Sequence, residues 1–147
     1  MHAYPIDIHH NDDGTVVATC LLVPGFRVDG SGPDDLSDAR LTAALLAGLE
    51  EYQAQRGHEA IPVPARPLPP GARGVHLPIL AAAKVELWNA MIERGVTRAE
   101  LARRLDMTPV QTGRLTSLQH GSQMHLIEHA LLALGLRIRL TFEKMAP

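Results

Sequence analysis

The chain has 147 residues, 46% of them hydrophobic, which suits one ordinary domain or two small ones; with one Trp, two Tyr and two Phe, its core must rest on Leu, Val, Ile and Ala. No apolar run approaches the ~20 residues of a membrane span, the start MHAYPIDIHH lacks the basic and apolar regions of a signal peptide, and the sole cysteine, Cys20, excludes an internal disulfide, so a cytoplasmic location is expected. The net charge of -2 conceals an asymmetry: residues 1–72 hold four basic and ten acidic side chains, residues 73–147 ten basic and six acidic.

In chain order, Tyr4, Ile6 and Ile8 alternate with polar residues and predict a first strand. Asn11-Asp12-Asp13-Gly14 is turn chemistry, and the β-branched run Thr15 to Leu22 predicts a second strand. Pro24-Gly25 breaks it, and Phe26-Arg27-Val28 predicts a short third. After a loop at Gly30 to Pro33, a helix is expected over Asp34 to Arg56. Its Leu41, Leu45, Leu49 and Tyr52 share one face, and Gly57 stops it. Ala60 to Val63 predicts a last strand, ended by Pro64. The order β-β-β-α-β places one helix against one face of a sheet.

Residues 62 to 78 contain six of the eleven prolines and predict a semi-extended spacer. Beyond it, Pro78 to Arg94 reads as a helix ended by Gly95, with Ala81, Val85, Trp88 and Ile92 as its buried stripe. Another helix is expected over Met124 to Leu134. The last piece, Leu136 to Glu143, alternates as a strand does. A lone strand after a helical bundle lacks a ladder partner, and unpaired backbone is costly, so pairing with the same strand of a second chain is expected. A fold-back onto the first half is the rival.

Between those helices lies the most informative stretch, VTRAELARRLDMTPVQTGRLTSL, from Val96 to Leu118. It reads as two short helices, opened by the pairs Thr97/Glu100 and Thr108/Gln111, each with capping-box spacing. Pro109 falls at the first position of the second helix, where its missing N–H is harmless. Such a pair is the core of a helix-turn-helix, whose second helix enters the DNA major groove. Leu101, Leu105, Met107 and Leu115 are spaced to face inward, and Ala102 is small where the helices cross. Thr108, Pro109, Val110, Gln111, Gly113 and Arg114 form the exposed start and outer face of the reading helix. Arg98 and Arg103 flank it on the first helix, and Ser117 and His120 follow it in a loop. Gln and Arg suit adenine and guanine edges, and Thr, Ser and His reach phosphates. Two residues depart from the usual pattern. Asp106 occupies a turn where Gly is commoner, and Thr112 a position usually apolar.

Other chemistry is weaker. A metal-dependent nuclease needs clustered carboxylates around a divalent ion, yet only Asp7 lies mid-strand. The eight histidines, including the pair His125 and His129, show no CxxC or HExxH context. No catalytic residue, metal or cofactor is therefore expected. A regulator with a small-molecule sensor in the first half, and no protein partner, is the alternative reading.

Taken together, NDDGTVVATC, VPGFRVDG, AALLAGLEEYQAQRG and EAIPVPA, followed by the stretch from LPILAAAKVELWNAMIERG to LGLRIRLTF, resemble the HicB antitoxins of HicA–HicB toxin–antitoxin modules. The resemblance implies an α+β chain in three parts. Residues 1–63 would be a partial ribonuclease-H-like domain that neutralises a small basic ribonuclease toxin. Residues 64–77 would be the linker, and residues 78–147 an all-α helix-turn-helix domain that represses the module's own operon as a homodimer. Toxin contact would fall on Asp12, Asp13, Val23, Pro24, Phe26, Arg27 and Asp29. DNA contact would fall on Thr108 to Arg114 and its flanks. Dimerisation is assigned to Leu136, Ile138, Leu140 and Phe142. The family often shows an aromatic-Pro-acid-Leu-Pro-Gly stretch where this chain has Leu21-Leu22-Val23-Pro24-Gly25. It commonly has a basic and an acidic residue where Gln123 and His125 stand.

Overall fold

A computed structural model describes residues 1–147 as a mixed α+β chain with two small antiparallel sheets and five α-helices. The expected first strand is split. β1 (Tyr4–Pro5) pairs with β5 (Gly74–Val75), whereas β2 (Asp7–His10) joins β3 (Val16–Thr19) and β4 (Arg27–Gly30) in a three-stranded sheet of order β2-β3-β4. The division falls at Ile6, whose N–H leaves the larger sheet and donates to the Arg73 carbonyl. The turn between β2 and β3 is held by Asp13, whose carboxylate accepts from both the N–H and the hydroxyl of Thr15.

The long helix starts later than its acids suggest. Pro33–Asp35 forms one 3-10 turn, and α1 (Asp38–Gln55) begins only after Ser37, whose hydroxyl accepts from the Arg40 N–H. Asp35 is spent outside the helix, accepting from the Ser31 N–H and pairing with Arg40. Leu41, Leu45 and Leu49 are fully buried, as the spacing predicts, and Tyr52 is half-buried. Gly48 allows α1 to lie tight on the Val23–Phe26 turn; a Cβ there would meet Val23 Cγ1 at 2.9 Å.

No strand forms at Ala60 to Val63. A side chain takes the place of a ladder: Asn89 Oδ1 accepts from the Ile61 N–H and Asn89 Nδ2 donates to the Ile61 carbonyl, at 2.7 and 2.9 Å. The proline-rich segment that follows is pinned to the first half at several points. The Tyr4 hydroxyl donates to the Pro62 carbonyl, Pro64 is buried, and Arg73 reaches the Leu36 carbonyl and Asp38. Burial pushes the Tyr4 phenol well above its ordinary range.

The second half comprises α2 (Ile79–Arg94), α3 (Arg98–Leu105), α4 (Pro109–Thr116) and α5 (Met124–Ala133). α2 ends at Gly95 in the left-handed conformation, as expected of a glycine stop. Helix α2 is buried on two sides. Val85 and Trp88 join the sheet-and-α1 core, while Leu87, Ala90 and Met91 join a second core with Leu101, Leu105, Leu115, Ile127 and Leu131. Leu118, just past α4, also enters the first core. The expected terminal strand is absent from the single chain: Leu136 and Ile138 are half-buried against the second core, but no backbone partner lies alongside. No helix is long and apolar enough to cross a membrane.

Candidate functional site

The helix pair is built by local chemistry. α3 is capped by Thr97, whose hydroxyl accepts from the Glu100 N–H at 3.1 Å. The reciprocal half of that box does not form, because the Glu100 carboxylate instead pairs with Arg104 at 2.8 Å, one turn on. The box on α4 is complete. Thr108 Oγ1 accepts from the Gln111 N–H, and Gln111 Oε1 accepts from the Thr108 N–H. Three residues join the helices. Asp106 takes the left-handed conformation at φ 52°, and the N–H groups of Asp106 and Met107 donate back to Arg103 and Ala102. An aspartate thus does the work usually left to glycine.

Leu101, Ala102, Leu105 and Leu115 are buried as the spacing predicts, and Met107 is half-buried. Thr112 is fully buried, and its hydroxyl bonds back to the Thr108 carbonyl. Thr116 does the same toward Gly113 and Thr112, so neither buried hydroxyl is left unpaired. The opposite side of α4 is open: Pro109, Val110, Gln111 and Arg114 are exposed, Val110 at 66%. Arg114 has no ion-pair partner, and neither has Arg103. Gln111 is less free than its spacing suggests. One lone pair of its carbonyl oxygen is taken by the cap, which fixes the side chain and leaves its two amide donors and one lone pair for an outside partner.

The structure brings Thr108, Pro109, Val110, Gln111, Gly113 and Arg114 onto one short helix, with Ser117 and His120 just beyond it. It sets Arg98 apart. That guanidinium lies over the Trp88 ring at 5.6 Å, beside a cleft of about 560 Å³ bordered by Gln53, Gly57 and His58. Two residues escaped the sequence reading. Lys84, in α2, donates from Nζ to the carbonyls of Arg114 and Ser117 at 3.0 and 2.8 Å, and to that of His120. Gln53, in α1, donates to the Thr116 carbonyl at 2.8 Å. The signal for Lys84 was present, since it lies three residues after Ala81 and four before Trp88, on the apolar stripe itself.

In the first half, the candidate partner residues divide by burial. Asp12, Asp13, Pro24, Arg27 and Asp29 are exposed. Val23 and Phe26 are not available to a partner: both are buried in the core beneath α1, because the Pro24–Gly25 turn points them inward. The strand register places Asp7, Thr19 and Arg27 in one cross-strand row, and His9, Val17 and Asp29 in another. These rows form the sheet face away from α1; all six are exposed except half-buried Val17. Hydrogen bonds from Arg27 hold the Asp29 carboxyl below its ordinary range, and the Thr15 hydroxyl does the same for Asp13. Leu21 stands 89% exposed at the end of the sheet. No cluster of three or more His, Cys, Asp or Glu side chains is placed to hold a metal ion.

The chain thus presents an open sheet face on its acidic half and an anchored, outward-facing short helix on its basic half. The chain belongs to the HicB antitoxin family. It is 35% identical to the protein named Antitoxin HicB from Pseudomonas fluorescens (strain Pf0-1), over 97% of this chain and 95% of that protein. It is 32% identical to Antitoxin HicB 2 of Photorhabdus laumondii, over 93% and 94% of the two chains. Identity to Antitoxin HicB of Escherichia coli (strain K12) is 28%, over 93% and 96%. No protein-family model matches the chain.

Proposed function

We propose that this antitoxin neutralises a small basic ribonuclease toxin of the HicA kind by direct binding, and represses its own operon through α3 and α4 acting as a helix-turn-helix. It acts by binding, with no catalytic step of its own. The observation that carries this reading is the end-to-end similarity to proteins named Antitoxin HicB. The first half is read as a partial ribonuclease-H-like domain, supported by the antiparallel meander with one helix against one face. Its ten acids against four bases suit a basic partner. Asp12, Asp13, Pro24, Arg27 and Asp29 are assigned to toxin contact, together with the open rows beside them. Co-expression with any small basic protein found to be encoded beside this gene tests the reading. The expected result is relief of growth arrest and co-purification of the two chains. Ligand-dependent release of DNA without any such partner would favour the small-molecule sensor instead.

A homodimer is part of the same proposal. Leu136 and Ile138 lie against the second core, whereas Leu140 and Phe142 stand exposed, Phe142 at 90%. Their backbone has no ladder partner in one chain, so a second copy of the same segment would supply both hydrogen bonds and apolar cover. Two-fold pairing there would present two copies of α4 to a palindromic operator. Truncation after Gly135 is expected to halve the mass measured in solution by light scattering. An unchanged mass would remove this segment from the interface.

A further inference from the structure

The exit of α4 is held by side chains from outside the helix pair. A helix C-terminus leaves carbonyls without intrahelical partners, and they carry the partial negative charge of the helix dipole. Here the ammonium of Lys84 meets the carbonyls of Arg114, Ser117 and His120. An ammonium has three N–H donors, and three acceptors converge on it. Lys84 is 1% exposed and has no carboxylate partner. Burial accordingly lowers its pKa. An apolar residue on this stripe would pack without that desolvation, so the lysine is explained by the carbonyls it gathers. Gln53 of α1 takes the Thr116 carbonyl, and Leu118 is inserted in the first core.

We propose that Lys84 is a positioning residue for α4: from α2 it clamps the helix exit and the loop after it, and so fixes the angle at which Val110 and Arg114 face outward. The consequence for DNA rests on the helix-turn-helix reading above; the clamp itself does not. Lys84→Met keeps the apolar stem of the side chain and removes all three donors. Lys84→Gln retains two donors on a shorter arm.

The test compares full-length wild type, K84M and K84Q by hydrogen exchange and by binding at one fixed salt concentration. The DNA probes are a duplex from immediately upstream of the chain's own coding sequence and an unrelated duplex of equal length. In K84M, amides of residues 114–123 are expected to exchange at least tenfold faster, with the centre of α1 unchanged. The ratio of upstream to unrelated affinity is expected to fall at least tenfold, with K84Q between the two. A loss of folded protein would instead weaken both duplexes equally. Unchanged exchange at residues 114–123, or exchange raised equally throughout, overturns the clamp. Local loosening with an unchanged affinity ratio overturns its role in presenting α4. Local loosening in a chain whose wild type does not distinguish the duplexes upholds the clamp and overturns the DNA reading. Should K84M fail to fold, K84Q supports the same comparisons.

Discussion

Trp88→Ala is expected to lower the unfolding free energy by about 3–5 kcal/mol, the range for removing a large buried aromatic. Trp88 is the only tryptophan, and it lies where the two halves meet. Its ring packs in the sheet-and-α1 core, its indole N–H donates to the Glu59 carbonyl, and Arg98 covers its outer face. The first core loses a wall when it is truncated, on a helix whose other side lines the second core through Leu87, Ala90 and Met91. Urea denaturation followed by far-ultraviolet circular dichroism checks the value. A loss below about 1 kcal/mol, ordinary for surface substitutions and small core changes, would mean that this ring is not a structural part of the first core. The same geometry makes residues 1–63, the expected first domain, a poor stand-in for the whole first half. That fragment lacks Val75, Val85, Trp88 and Leu118, four residues of its core, and the Asn89 amide that replaces a strand beside Ile61.

The elements most legible in the sequence were those whose signal is local. Threonine caps, Pro109 and the left-handed Gly95 mark helix ends through bonds made within a few residues, and the structure has α2, α3 and α4 where those signals fall. The mixed α+β class followed from switching between period two and period 3.6. What was not legible depends on neighbours distant in the chain. The alternation at Ala60 to Val63 resembles a strand, yet Asn89, 28 residues on, occupies its hydrogen-bonding edge. Asp34 and Asp35 look like helix-start acids, but Asp35 is committed to Ser31 and Arg40. Val23 and Phe26 flank a turn, which suggests a surface loop, while Gly48 lets α1 close over them. At the candidate site, the outward residues of α4 could be read from helical spacing. Lys84 and Gln53 could not be paired with them, because the link is to backbone carbonyls that no side-chain pattern announces.

Removing Arg114 and Gln111 together is expected to abolish specific operator binding, and the structure allows their separate parts to be told apart. Arg114 is exposed and unpaired, so its guanidinium can approach a base edge without breaking any internal bond. A bidentate contact of that kind is worth about 1–3 kcal/mol of discrimination, which corresponds to a loss of roughly 5- to 150-fold for Arg114→Ala. Gln111→Ala removes an amide donor and also the side-chain half of the capping box, the acceptor for the Thr108 N–H, while the bond from the residue-111 N–H to Thr108 Oγ1 remains. Gln111→Glu preserves the capping acceptor while deleting the donor. The added charge weakens binding to any duplex, so the ratio of upstream to unrelated affinity decides: it falls in the Glu variant as in the Ala variant if Gln111 acts through DNA, and stays at the wild-type value if it acts through the cap. Salt dependence separates the two roles open to Arg114. A phosphate contact, once lost, flattens the slope of log affinity against log salt by about 1, whereas a lost base contact lowers affinity and leaves the slope in place. Unchanged affinity of the double variant for the upstream duplex at fixed salt would place DNA contact, if any, away from the outward face of α4.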